Sequence, residues 1–163
     1  MKITLRKYTP ADCEKLAKLF YDTVHTCCVR DYTKTELNAW ASGKVDCEAW
    51  NRSFKTHKTL VAEIDGNIVG FGDIDISYGC SICSSAYLDR LYVHKDYQRK
   101  GIGKAILSAL EKYAEENAVG VITTYASITA LPFFEAMRYD CIRENTVIRD
   151  GVELTNYLMK KQI

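Results

Sequence analysis

The chain is poor in proline and histidine, and neither sign of charge dominates. Its 163 residues include 2 Pro and 3 His, and 22 basic side chains balance 21 acidic ones for a net charge of +1. Near-neutrality provides no global field to gather nucleic acid or an anionic membrane surface. No concentrated basic segment supports a nucleic-acid binder. No run approaches the ~20 apolar residues of a membrane span, so neither nucleic acid nor membrane is expected as a partner. The opening Met1-Lys2-Ile3-Thr4-Leu5-Arg6-Lys7 lacks the apolar core of a secretory signal. There is no repeat, low-complexity stretch or linker. One domain, 1–163, with a single sizeable core is therefore expected, in the cytoplasm.

Cysteine is the exception to this sparseness, with 7 residues. An odd count without a secretory signal is expected as reduced thiols. Cys80-Ser81-Ile82-Cys83 has metal or redox spacing. A structural zinc site needs four ligands, and no second close pair exists. The pair lies in a Ser/Gly loop rather than at a strand-to-helix junction, so two loop thiols and no metal are expected. Cys13 falls on the apolar stripe of the first helix, and Cys27-Cys28 ends that helix as packing.

Periodicity gives the elements. Residues 2–7 read as a strand. Thr9-Pro10-Ala11-Asp12 reads as a helix start, with Thr9 as N-cap and Pro10 in first position. Cys13, Leu16, Ala17, Phe20, Val24 and Cys27 then form one helical stripe. Helical stretches follow at 34–41 and 46–55. Strands at 60–64 and 68–76 flank Asp65-Gly66-Asn67, a hairpin signal. A polar loop covers 78–85. Then come a strand from Tyr87, a helix to about residue 117, a strand at 120–126 and a short helix at 129–137. Strands at 141–148 and 152–160 flank Asp150-Gly151. Hairpins combined with one βαβ unit predict an α/β (α+β) fold: a mixed sheet with helices on both faces.

The most informative segment runs from Tyr87 to Glu116. The apolar strand Tyr87-Leu88-Asp89-Arg90-Leu91-Tyr92-Val93 enters a short loop, Gln98-Arg99-Lys100-Gly101-Ile102-Gly103, which opens a helix. First-turn amides lack intrahelical partners, and the helix dipole adds positive charge there. Gly101 and Gly103 let a phosphate approach the backbone, and Arg99 and Lys100 add charge. The expected ligand carries a pyrophosphate. The P-loop pattern is excluded, because Gly103-Lys104 is followed by Ala105 and no Gly lies at the required spacing. The dinucleotide fingerprint is excluded, because its third Gly would fall on Ile106.

What remains, Gln-x-x-Gly-x-Gly within the run Leu91 to Gly103, resembles the acyl-CoA loop of the GNAT superfamily of N-acyltransferases. The element order matches that fold from residue 2 to about 160. The resemblance implies that Leu91, Tyr92 and Val93 pair with the pantetheine arm. It implies that Gln98, Arg99, Lys100, Gly101, Ile102, Gly103 and Lys104 hold the pyrophosphate of acetyl-CoA, the acyl-donor cosubstrate. Ser127 to Tyr139 resembles the family's Asn-x-x-Ala-x-x-Phe-Tyr-Glu-x-x-Gly-Phe. Ser127 replaces the Asn that bonds pantetheine, and Arg138 replaces the Gly. Phe134 replaces the Tyr that protonates the departing thiolate, so it can pack on pantetheine but has no proton to give. Tyr139, Tyr125 and water are the alternative donors, and Pro132 favours Thr129 as the helix N-cap.

An attacking lysine-like amine, with a pKa of about 10.4, must lose a proton first. Asp89 is one candidate base and half of an ion pair is its other reading. Tyr87 shares its strand face and is the next candidate. Asp73 and Asp75 read as a solvated sheet face. His25 and His94 read as surface residues, and His57 as chemically silent. Tyr32, Trp40 and Trp50 fall in the segment that walls the acceptor site in such folds, where aromatic rings suit an amine. The expected activity is acetyl transfer from acetyl-CoA to a small-molecule or peptide amine in a ternary complex. A non-catalytic acyl-CoA-binding module is the alternative, and a homodimer is compatible with either.

Overall fold

The computed structural model describes residues 2–77 and 84–163. The expected loop pair Cys80 and Cys83 lies outside the described residues. Seven strands form one sheet: β1 (Thr4–Lys7), β2 (Lys58–Ile64), β3 (Asn67–Asp75), β4 (Ser85–Val93), β5 (Val121–Ser127), β6 (Asp140–Arg149) and β7 (Val152–Gln162). Their spatial order is β1-β2-β3-β4-β5-β7-β6, and β4–β5 is the parallel pair. The helices are α1 (Cys13–Cys27), α2 (Lys34–Trp40), α3 (Cys47–Thr56), α4 (Ile102–Glu116) and α5 (Leu131–Ala136).

Both sheet faces are covered, which is why β2 reads as an almost continuous apolar run. On one face, Ile106, Leu107 and Leu110 of α4 pack with Leu60, Leu88, Ile122 and Met159. On the other, Leu16 and Leu19 of α1 and Phe54 of α3 pack on Val61 and Phe71. Gly72 lets α4 sit close to β3: a Cβ there would lie 2.9 Å from Ile106 and 3.0 Å from the Arg90 carbonyl. The two Asp-Gly signals are the tight hairpins expected. Asp65 and Gly66 have φ of 50° and 77°, and Asp150 and Gly151 have 49° and 76°, the double left-handed geometry that matches strand twist.

β4 and β5 form a fork. They pair at Ser85–Val121, Ala86–Ile122 and Tyr87–Thr123, then β4 continues to Val93 and β5 to Ser127 without further pairs. The divergence starts at a bulge. Leu88 faces Ile74 and Arg90 faces Asp73, so Asp89 is the extra residue in the ladder. Bulges bend a strand and re-aim a side chain. At the crotch, Thr124 Oγ1 donates to the Leu88 carbonyl at 2.8 Å, taking the place of a ladder bond.

The N-terminal segment is tied down by charge. Thr9 precedes a short 3-10 turn, Pro10–Asp12, that leads into α1. Arg6 grips Asp12 through two bonds of 2.7 and 2.9 Å. The guanidinium, with help from Thr9, holds the Asp12 carboxyl well below the usual range, at about 2. A carboxylate depressed on folding adds stability above its unfolded pKa, which is lost as pH falls through the folded value. Arg6→Met should therefore cost about 2 kcal/mol at pH 6. The gap between the two proteins' urea midpoints should close between pH 4 and pH 2. A gap constant over that range would show that Arg6 acts through packing alone.

Candidate active site

The pyrophosphate loop is shaped by backbone conformation. Arg99 and Gly101 both have positive φ, 58° and 82°, and such alternation folds successive N–H groups into an anion-binding concavity. The first intrahelical bond of α4 is Ala105 N–H to the Gly101 carbonyl, so the amides of Ile102, Gly103 and Lys104 are unclaimed. No side chain caps this helix, and its first turn carries no acid. A Cβ on Gly101 would meet nothing within 4 Å, so the approach is open. This cradle suits a pyrophosphate.

A cleft of about 670 Å³ runs from this loop into the fork. Leu91, Tyr92, Val93, Gln98, Arg99, Gly101, Ile102, Gly103, Lys104, Ser127 and Phe134 line it, as does Asp89. Sequence reasoning missed Thr23 and Cys27, contributed by α1. Two expected ligands have other occupations. Lys100 does not line the cleft: its Nζ donates to the Asp96 carbonyl at 2.9 Å and sits 4.9 Å over the Tyr97 ring. Gln98 donates to the Val93 carbonyl at 2.6 Å, and Thr23 Oγ1 donates to the same oxygen at 3.0 Å. Gln98 thus braces the loop against the end of β4, and the Val93 carbonyl is already saturated. The Ile102 side chain is buried in the core, which leaves only its amide to face the cleft.

A second chamber of about 370 Å³ lies on the far side of the fork. Tyr87 lines this one, with Tyr32, Asn145, Arg149 and Asn156 among its other walls. Asp89, Trp40, Tyr92, Tyr125 and Ser127 line both spaces. The two chambers therefore meet at the bulge. The hairpin β6–β7 contributes to this wall residues that no local motif announced.

Asp89 is the exposed end of a charged chain. Its carboxylate lies 3.0 Å from Arg90 Nη1, which also donates to Asp73 Oδ2 at 2.8 Å and to Ser53 at 3.1 Å. His57 Nδ1 meets the same Asp73 oxygen at 2.6 Å. Arg90 is sandwiched against Trp50 and Phe54, 5.2 and 4.8 Å from their ring centres. The expectation of a solvated face for Asp73 is overturned, because it is 0% exposed. The reason is α3, which covers that face. Asp73 Oδ1 has no partner among the described residues. Burial pushes the Asp73 carboxyl up, while His57 and Arg90 oppose it. Asp73 in turn raises the His57 pKa, so His57 is not chemically silent. His57, Asp73 and Asp89 bring donor atoms within 4.8 Å of one another. The Arg90 guanidinium already supplies the cation that such a group calls for.

Other expectations shift as well. Thr129 is not the cap of α5. It donates to Asp31 at 2.6 Å, and Ser127 Oγ instead accepts from the Ala130 amide at 3.1 Å. Tyr139 lines neither chamber. It is buried against Phe134, its hydroxyl has no hydrogen-bond partner among the described residues, and burial raises its pKa. It is therefore a poor proton donor. Tyr125, 39% exposed and lining both chambers, is better placed. His25 bonds the Ala41 carbonyl and stacks on Tyr21.

Comparison with known proteins agrees with this architecture. Residues 28–161 match the family model described as an acetyltransferase (GNAT) domain. The Escherichia coli (strain K12) protein described as uncharacterized N-acetyltransferase YafP is 31% identical over 158 residues, covering 97% of this chain and 95% of that protein. A GCN5-related N-acetyltransferase from Rhodopseudomonas palustris superposes with a TM-score of 0.88 at 30% identity, covering 100% and 97% of the two chains. A PaiA N-acetyltransferase from Thermoplasma acidophilum, solved with coenzyme A, shares the fold at TM-score 0.76 and 22% identity, with 100% of each chain covered. No helix among the described residues is long and apolar enough to cross a membrane. With the fork, the uncapped glycine loop and a family match spanning most of its length, the chain belongs to the GNAT acetyltransferase family.

Proposed function

We propose that the protein transfers an acetyl group from acetyl-CoA to the amine of a small acceptor, by direct attack within a ternary complex. The observation that carries this reading is the meeting of two chambers at the β4 bulge, with Asp89 lining both. The larger cleft takes the donor and the smaller chamber the acceptor. The Ile102, Gly103 and Lys104 amides hold the pyrophosphate, and the open edges of β4 and β5 flank the pantetheine arm. Ser127 Oγ, which accepts from Ala130, keeps its own proton to donate. Phe134 packs there without a proton to offer.

Asp89 accepts a proton from the amine, directly or through water, as nitrogen attacks the acetyl carbonyl carbon. The carbon–sulfur bond then breaks, and the thiolate leaves with the electron pair. A thiolate is a good leaving group, its thiol having a pKa of about 8.5. It takes its proton from Tyr125 or from water.

Thermal unfolding tests the donor site. At 100 times its dissociation constant, acetyl-CoA should stabilise the fold by about 2.7 kcal/mol. Gly101→Val should abolish most of that shift, because φ of 82° strains a branched side chain and the new methyls occupy the phosphate's approach. The same shift in variant and wild type would overturn the placement of the pyrophosphate.

A further inference from the structure

The acceptor chamber carries charge of both signs. Its charged lining residues are Asp89 and Arg149. Asp89 already has Arg90 at 3.0 Å. The side chain of Arg149, exposed at the last position of β6, makes no hydrogen bond or ion pair among the described residues. Arg90, which does not line the chamber, already pairs with Asp89, so the charged lining side chain left without a counter-charge is Arg149. A second anchor lies nearby. Arg143 donates to Asn145 Oδ1 at 3.2 Å, and Asn145 Nδ2 donates to Asn156 Oδ1 at 2.8 Å. That relay uses the carbonyl end of Asn156 and leaves its NH₂ as a donor without a partner among the described residues. Asn156 and Arg149 both line the chamber.

We propose that the acceptor is a small molecule that carries an anionic group together with its amine. The amine is placed at Asp89, and a carboxylate or phosphonate is received by the Arg149 guanidinium and the Asn156 amide. Charge-assisted bonds of this kind are the strong ones, and arginine's fork matches a carboxylate. The same balance disfavours polyamines, aminoglycosides and lysine-rich peptide tails. A polycation would meet one carboxylate, already paired, and a free arginine. The chamber of about 370 Å³ suits an amino-acid-sized ligand, and its tyrosines and Trp40 suit an apolar or aromatic side chain. This inference rests on assigning the second chamber to the acceptor.

The test uses matched sets with acetyl-CoA saturating: aromatic and aliphatic amino acids, their methyl esters, their decarboxylated amines, and the corresponding aminophosphonates. Thiol release gives kcat/KM, and quenching of tryptophan fluorescence gives binding. The free acids should exceed esters and amines by roughly tenfold or more in kcat/KM, or in affinity where turnover is absent. The ester's amine is the more easily deprotonated, so a slower ester cannot be blamed on its nucleophile. The ratio of carboxylate to phosphonate rates names the anion. Arg149→Gln should bring the acids down to the level of the esters, and Arg149→Lys should keep part of the preference. A wild-type protein with no preference for acids in either readout, or an Arg149→Gln variant that keeps the preference, overturns the proposal. Failure of the underlying functional reading would look different: without a donor site acetyl-CoA would give no thermal shift, and a non-catalytic binder would give the shift but release no thiol with any acceptor.

Discussion

Asp89→Asn should lower kcat by about 10²- to 10⁴-fold, the range of a positioned general base, and leave KM for acetyl-CoA nearly unchanged. Asn keeps the size of the side chain and removes the proton acceptor. The bulge frees Asp89 from the β3 ladder, and its carboxylate lines both the donor cleft and the acceptor chamber. A carboxylate there reaches the amine at the moment of attack, while the pyrophosphate loop lies at the other end of the cleft. The loss should shrink as pH rises toward the amine's own pKa, about 8 for an α-amine and about 10.4 for a lysine-like one, because the free amine then no longer needs a base. Stopped-flow or steady-state rates from pH 6 to pH 10 would show this. A variant with normal rates at every pH and a lowered melting temperature would reduce Asp89 to an ion-pair partner of Arg90. Tyr87, which lines the same chamber, would then be the next candidate.

The sequence revealed the donor half of the site better than the acceptor half, and locality explains why. A pyrophosphate cradle is a contiguous device: one loop supplies its glycines, its positive φ angles and its free amides, and spacing alone displays them. The two Asp-Gly hairpins were legible for the same reason. The charged chain was not. His57, Asp73 and Arg90 come from three separate stretches, and they meet because α3 folds back over β3 and β4. Alternation along β3 correctly gave Asp73 and Asp75 one face, but it could not say that a helix covers that face. The bulge at Asp89 likewise belongs to a pairing register and has no marker along the strand. Pro132 points to Thr129 as the cap of α5, whereas the cap position falls on Ala130, which has no side-chain oxygen, and Ser127 only closes the turn before it. The acceptor chamber draws on the α1–α2 region, β4, β5 and both strands of the last hairpin. No spacing rule joins Arg149 and Asn156 to Asp89.

Arg90→Met should destabilise the fold by about 3–5 kcal/mol, the cost of leaving one partner of a buried ion pair uncompensated. Asp73 is 0% exposed, and its Oδ2 is held by the Arg90 guanidinium and by the His57 ring. Met keeps the apolar contact with Trp50 and Phe54, so the loss measured is electrostatic. His57 is then the remaining partner of Asp73, and its pKa is raised by that bond. A raised histidine stabilises below its unfolded pKa of about 6.5, and the contribution fades as pH climbs through the folded value. The penalty should therefore be smaller at pH 5.5 than at pH 8, read from urea midpoints. Arg90→Met combined with Asp73→Leu should recover much of the loss, since apolar replacement of a whole buried pair is often neutral. A penalty independent of pH, with no recovery in the double variant, would show that the Arg90 charge matters through its cation–π contacts with Trp50 and Phe54 and not through Asp73. The chain also ties stability to chemistry, because the guanidinium that pairs with Asp73 lies 3.0 Å from Asp89. Asp73→Asn should lower kcat when Asp89 is present and have little further effect in the Asp89→Asn background. Additive losses in that cycle would mean that Asp73 serves the fold and not the base.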